Sequence, residues 1–225
     1  MIKISDSWKT LYPSAAVGIL VMREAKNPTR HGELDELGEK VESLLRERFF
    51  AGGKEALRAD PVMTAYEGYY RRFRKTYHVA LQLESVIWKG RSIPSVSALV
   101  KAMFMAELSN MLLTAGHDLA KVSLPIRIDV GREEEAYTAL DGEQRAVKEG
   151  DMLISDTLGV ISSILGGPDR RTSISAGTTD VLFTVYAPPG IGAQRVQAHL
   201  ADVKRYVEVV APEAVTESME TCLAE

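Results

Sequence analysis

The stretch Ser95–Leu113 sets the strongest limit on what this chain can fold into. Val96, Leu99, Val100, Met103, Phe104, Leu108, Met111 and Leu112 put apolar side chains on nearly every side of one helix. A helix without a solvated face must be surrounded by other elements. Pro94 and Ser95 open it, and Gly116 is expected to close it. The remaining segments must therefore supply a coat for this helix.

Before it, the pattern is largely helical. Ala15–Met22 reads as a buried strand after Pro13, and Arg23–Gly32 as a polar loop containing Asn27-Pro28. Leu34, Leu37, Val41, Leu44, Leu45 and Phe49 recur at helical spacing, and Gly52-Gly53 ends that helix. Asp60-Pro61 is a helix start, followed by the stripe Val62, Ala65, Tyr66, Tyr69 and Phe73. A further helix runs over Val79–Lys89 to Gly90.

After Asp118 the period changes to two. Leu124, Ile126, Ile128 and Val130 alternate with other residues, as in a half-buried strand. Tyr137–Leu140 and Arg145–Val147 flank Asp141-Gly142, a tight-hairpin signal. Met152–Ser155, Val160–Leu165, Ser173–Ser175 and Val181–Tyr186 read as strands, and Ala193–Val210 as a last helix. Helices first and strands second predict an α+β fold: a layered sandwich of a mostly antiparallel or mixed sheet with packed helices. The expectation is one domain over residues 1–225, its motif-bearing core at about 60–190.

Composition narrows the function. The 225 residues carry 27 basic and 31 acidic side chains, a net charge of −4, which argues against general nucleic-acid or DNA binding. The longest apolar run, Ala15–Met22, is far short of the roughly 20 residues a membrane helix needs. The N-terminus lacks a secretory pattern, and the lone Cys222 lies in a polar tail, so a cytoplasmic protein is expected. No phosphate-binding loop or nucleophile elbow occurs. His31, His78, His117 and His199 show no metal-ligand spacing, so neither metal nor cofactor is expected.

Two stretches carry chemistry. Tyr69–His78 interleaves bases and aromatics, and at helical spacing Arg71, Arg74, Lys75 and His78 share one face. That face could hold RNA phosphates while a tyrosine stacks on a base, or it could be a solvated face above a tyrosine-lined core. Gly166-Gly167-Pro168-Asp169-Arg170-Arg171-Thr172 permits close approach of a ligand to backbone, or is simply a long turn.

The order Gly90-Arg-Ser-Ile-Pro94, Leu99-Val100, Gly116-His-Asp118, Leu140-Asp-Gly-Glu143, Asp151–Asp156, Gly166-Gly167 and Thr178–Leu182 resembles the B3/B4 domain of the phenylalanyl-tRNA synthetase β subunit, in its stand-alone bacterial form. The resemblance implies an α+β sandwich that binds the aminoacyl end of mischarged tRNA and hydrolyses the wrong amino acid. It places the pocket glycines on Gly166 and Gly167 and a pocket threonine on Thr178. The editing glutamate falls on Thr184 and the pocket histidine on Ala115, with His117 two residues away. The paired aspartate falls on Lys101, and polar pocket positions on Val96 and Ser97. A threonine cannot serve as a carboxylate base, so hydrolysis is in question. The chain also lacks an ATP-binding motif and cannot charge tRNA by itself.

Two functions follow as expectations: a relative that binds tRNA, an aminoacyl-tRNA end or an amino-acid-like molecule, with deacylation as an optional further step, or a non-catalytic metabolite-binding or interaction module. In either case Gly166-Gly167 should wall a pocket opposite Ala115-Gly116-His117, with Val181–Tyr186 at its floor. At least one of His117 and Asp118 should reach that cavity, and a Gly166→Trp change should leave the fold intact.

Overall fold

A computed structural model describes residues 2–224. Two sheets lie face to face, with helices covering the outer side of one. The elements run β1 (Ile2–Ile4), α1 (Asp6–Leu11), β2 (Ala16–Arg23), α2 (Gly32–Phe49), α3 (Gly53–Arg58), α4 (Pro61–Arg72), α5 (His78–Lys89) and α6 (Ala98–Asn110). There follow β3 (Thr114–Asp118), β4 (Ile126–Val130), β5 (Ala136–Thr138), β6 (Gln144–Ala146), β7 (Met152–Asp156) and β8 (Gly159–Ser163). The chain closes with β9 (Gly167–Pro168), β10 (Val181–Ala187), α7 (Ala193–Val210) and β11 (Val215–Leu223). This is an α+β sandwich with antiparallel and mixed sheets.

The four-stranded sheet has the order β11-β2-β10-β3 and is antiparallel throughout. The five-stranded sheet, β1-β4-β7-β8-β9, is mixed because β1 joins β4 in parallel. A small hairpin, β5-β6, forms its own two-stranded sheet and packs on β7 and β8 through Tyr137, Leu153 and Val160. Strand alternation divides the residues of the four-stranded sheet between its two faces. On one face Gly18 leaves room for Val196 and Leu200 of α7, and Gly116 for Met103 of α6. On the other, Tyr186 hydrogen-bonds Ser162 of β8, joining the two sheets.

Helix α6 is the enclosed helix its sequence requires. Leu99, Ala102, Met105, Ala106 and Leu108 are at most 1% exposed, and each large apolar side chain buried this way contributes about 1.5–3 kcal/mol. Asn27 and Pro28 satisfy its first turn: the Leu99 amide donates to the Asn27 carboxamide and the Ala98 amide to the Pro28 carbonyl.

Several expectations are corrected. α6 ends at Asn110, not at Gly116; Met111 turns the chain through φ 60°, and Thr114–Asp118 is an edge strand. α4 ends at Arg72, and Arg74 adopts φ 55°, so Arg71, Arg74, Lys75 and His78 do not share a helical face. Ser173–Ser175 is not a strand; only Ser173 makes a bridge, to His117. Cys222 sits within β11, opposite Val17, rather than in a loose tail. Apart from these corrections, the segment Trp8–Tyr12 is docked, with Trp8 and Tyr12 buried.

A buried polar cluster links α6, α7 and β3. Thr114 Oγ1 lies 2.7 Å from His199 Nε2, and the Asn110 carboxamide donates to Asp202 at 2.9 Å beside His199 Nδ1. Burial pushes the His199 imidazole down to about 4, from an ordinary 6.5. The unfolded chain therefore takes up this proton first, and stability falls as pH drops from 6.5 towards 4. His199→Gln, which carries no titrating group, should make that fall shallower in urea denaturation at pH 7.0, 5.5 and 4.5; an unchanged slope would show that His199 is protonated without cost.

Candidate functional site

A cleft of about 370 Å³ opens beside the edge strand β3, within the size range of small-molecule sites. Val100, Met103, Phe104 and Glu107 form its α6 wall, at the i, i+3, i+4, i+7 spacing of one helix face. Thr114, Ala115 and Gly116 of β3 form the base, with Tyr186 beside them. Gly167 and Pro168 of β9, with Ser163, Ser173 and Ile174, close the opposite side. His78 and Gln82 enter from the start of α5, and the exposed Val96 and Leu140 sit at the mouth.

Gly116 is where this base needs glycine. A Cβ there would come within 2.7 Å of Ile174 and 3.3 Å of Met103, both cleft residues. The absent side chain lets Ile174 and Met103 pack directly onto the backbone of β3.

Glu107 is the unusual group. Only 1% of it is exposed. Its Oε2 accepts the Thr114 amide at 2.9 Å, while Oε1 has no hydrogen-bond partner. Burial pushes the carboxyl up to about 8, so at neutral pH it is mostly uncharged. An uncharged carboxyl keeps one acceptor for Thr114 and offers one O–H donor to a ligand. Gln82 adds a second unpartnered oxygen, Oε1. His78 Nδ1 lies 3.2 Å from the Tyr70 hydroxyl, and burial lowers its pKa.

The expected site residues divide into two groups. Ala115, Gly116 and Gly167 line the cleft together. Thr184, Ser97, Thr178, Asp118, His117 and Gly166 do not. His117 is fully buried, its Nδ1 2.8 Å from Thr172 Oγ1, and Asp118 accepts the Thr178 hydroxyl at 2.8 Å. Neither reaches the cavity: strand alternation turns His117 to the face opposite Gly116, and Asp118, at the end of β3, is engaged by Thr178, the Ala120 amide and Lys121. Thr184 is wholly buried, with an unpartnered hydroxyl. A Cβ on Gly166 would lie 2.1 Å from the Tyr137 hydroxyl, so Gly166→Trp would disrupt the turn rather than spare the fold.

In the basic-aromatic segment, Arg71, Arg74 and Lys75 are exposed, whereas His78 is half-buried in the cleft. Tyr66, Tyr69 and Tyr70 are at most 3% exposed, so none is free to stack on a base. Absent from the expected set are Glu107 and Gln82. The available signal was a lone acid in a helix whose composition buries every side.

A sequence profile of the B3/4 domain matches residues 65–224. The chain belongs to the B3/4 domain family. The phenylalanine–tRNA ligase beta subunit of Anaeromyxobacter dehalogenans (strain 2CP-C) is 36% identical over 91 residues, covering 36% of this chain and 11% of that protein. The chain thus spans a small part of that relative's length. Among solved structures, an N-terminal fragment of the phenylalanyl-tRNA synthetase beta-subunit from Pyrococcus horikoshii is similar with a TM-score of 0.48 and 12% identity, covering 97% of this chain and 54% of that one. Among the described residues no helix is long and apolar enough to cross a membrane, and no group of three or more His, Cys, Asp or Glu side chains is placed to hold a metal.

Glu107 has a stability signature. Unfolded, it loses its proton near 4.5; folded, near 8. The folded state therefore holds the extra proton between these values, and wild-type stability declines as pH rises from 4.5 to 8 and levels above. Glu107→Gln keeps an acceptor for Thr114 and cannot ionise. Its melting temperature should gain on wild type progressively from pH 4.5 to 8; a gap independent of pH would mean the carboxyl is ionised in the fold.

Proposed function

We propose that this B3/4 chain binds an amino-acid-like molecule with an apolar side chain, free or carried on the end of a tRNA, in the cleft between α6 and β3. The observation that carries this reading is Glu107: a mostly neutral carboxyl with one unpartnered oxygen at the wall of a largely apolar cleft. A group kept in this state costs stability unless a ligand uses it. Met103, Phe104 and Val100 would surround the apolar part, and Glu107 would donate to an acceptor on the ligand. Kinship with a phenylalanine–tRNA ligase beta subunit supports an aminoacyl ligand.

The reading is non-catalytic. The position of the family's editing glutamate holds Thr184, outside the cleft, and that of the pocket histidine holds Ala115. Neither can take a proton from a water beside an ester. Release of amino acid from a panel of mischarged tRNAs should stay at the buffer rate; faster release would overturn this part.

Binding is tested by methyl NMR at Met103, using aliphatic and aromatic amino acids, their amides, and aminoacyl-tRNAs. At least one should shift Met103 at pH 7. Glu107→Leu should weaken that ligand about tenfold, whereas Glu107→Gln, which offers an N–H at the same place, should stay within a few-fold. Wild-type affinity should fall as pH rises through 8, and that of Glu107→Gln should not. Absence of any Met103 response across the panel would sink the proposal.

A further inference from the structure

A second cleft, of about 340 Å³, lies across the Gly166-Gly167 turn from the first. Gly166 lines this one and Gly167 the other, and Ser163 borders both. Its character is opposite. Lys75, Arg145 and Lys148 line it, brought there by three separate segments: the loop after α4, strand β6 and the turn before β7.

The Arg145 cation is held by its head group, whereas Lys75 and Lys148, both exposed, are fixed at the backbone. Arg145 donates to the Gly166 carbonyl at 2.7 Å and pairs with Asp141 at 2.8 Å, so its guanidinium is already oriented along the turn. The Lys75 amide donates to the Tyr70 carbonyl at 3.0 Å across the tight turn at Arg74. The Lys148 carbonyl accepts the Asp151 amide at 2.9 Å, and Gly131 is bare where a Cβ would lie 2.4 Å from that carbonyl. Lys75 and Lys148 have no carboxylate partner among the described residues.

Asp151 is the one acid lining the cleft, and its oxygens are engaged with the protein. Oδ1 accepts the Tyr69 hydroxyl at 2.6 Å, and Oδ2 accepts the Leu165 amide at 3.2 Å. It therefore does not neutralise the two lysine head groups by direct pairing. Three cationic residues lining one cleft, two of them without a carboxylate partner among the described residues, suit a compact group with several acceptor oxygens and more than one negative charge.

We infer that the Lys75–Arg145–Lys148 cleft is a phosphoryl-binding site. The phosphoryl group could belong to a small phosphate ester or to the backbone of a single-stranded RNA; both offer the same oxygens to the same cations. The site stands on its own residues, whether or not the apolar cleft takes an amino-acid-like ligand.

Amide NMR with the full chain tests it, titrating inorganic phosphate, adenosine 5′-monophosphate and a five-nucleotide single-stranded RNA separately. Shifts should concentrate at Lys148 and Ser163–Gly167. Lys75→Ala/Lys148→Ala should weaken binding about tenfold or more, while Lys40→Ala/Lys89→Ala, an equal charge change elsewhere, should leave it unchanged. With these shifts and this variant pattern, an RNA no tighter than the mononucleotide assigns the site to small phosphate esters; an RNA much tighter assigns it to RNA backbone. No shift with any of the three probes overturns the inference, as does equal weakening in both double variants. Met103 methyl shifts in the same samples report the apolar cleft, so failure of one site is distinguishable from failure of the other.

Discussion

Tyrosine hydroxyls buried beneath α4 and at the start of α5 hold the cleft in shape. Tyr66 donates to the Tyr186 carbonyl and receives the Leu113 amide. Tyr70 donates to the Ile164 carbonyl and Tyr77 to the Met111 carbonyl, each at 2.8 Å. Tyr69 bridges Asp151 and the Met152 amide. Each bond satisfies a backbone or carboxylate group at the point where a strand begins or ends, and an unsatisfied buried group there would cost about 1–3 kcal/mol. Burial raises these phenols well above their ordinary range, so they remain uncharged donors. Tyr66 and Tyr77 also stack, with ring centroids 4.3 Å apart. The spacing between helical layer and sheets is set by the length of these side chains.

This bracing explains what was legible in the sequence. Period-3.6 stripes predict α2, α4 and α7, and alternation predicts β4, because each buries one continuous face. In contrast, β7 and β10 read as short apolar runs between glycines and are buried on both sides. Strand β3 carries no such pattern: Thr114-Ala-Gly-His-Asp is a strand only because β10 supplies its hydrogen bonds. β11 is similar, a polar alternation that pairs with β2 along nine residues of chain. Both are products of tertiary pairing rather than local preference.

The site divides along the same line. Glycines mark close backbone approach, and Gly116 and Gly167 do line the cleft. Which polar side chains enter it depends on the orientation of β3, and mistaking that strand for a helix end misplaces His117 and Asp118. Glu107 belongs to no motif; its significance comes from the surroundings that burial creates. The tyrosines read as candidate stacking surfaces are instead spent inside the fold.

The α6 wall of the cleft has a consequence for how such a protein changes. Val100, Met103, Phe104 and Glu107 occupy one stripe of a helix already anchored on its other sides by α2, α5 and α7. Exchanges at Val100, Met103 and Phe104 alter the shape of the cleft while leaving sheet pairing and tyrosine braces untouched, whereas Glu107 also holds the Thr114 amide at the start of β3. Cleft lining and scaffold are thereby written on different sides of the same helix except at Glu107. Three positions of the stripe can change the cleft with the sheet left as it is; the fourth couples any change to the sheet edge.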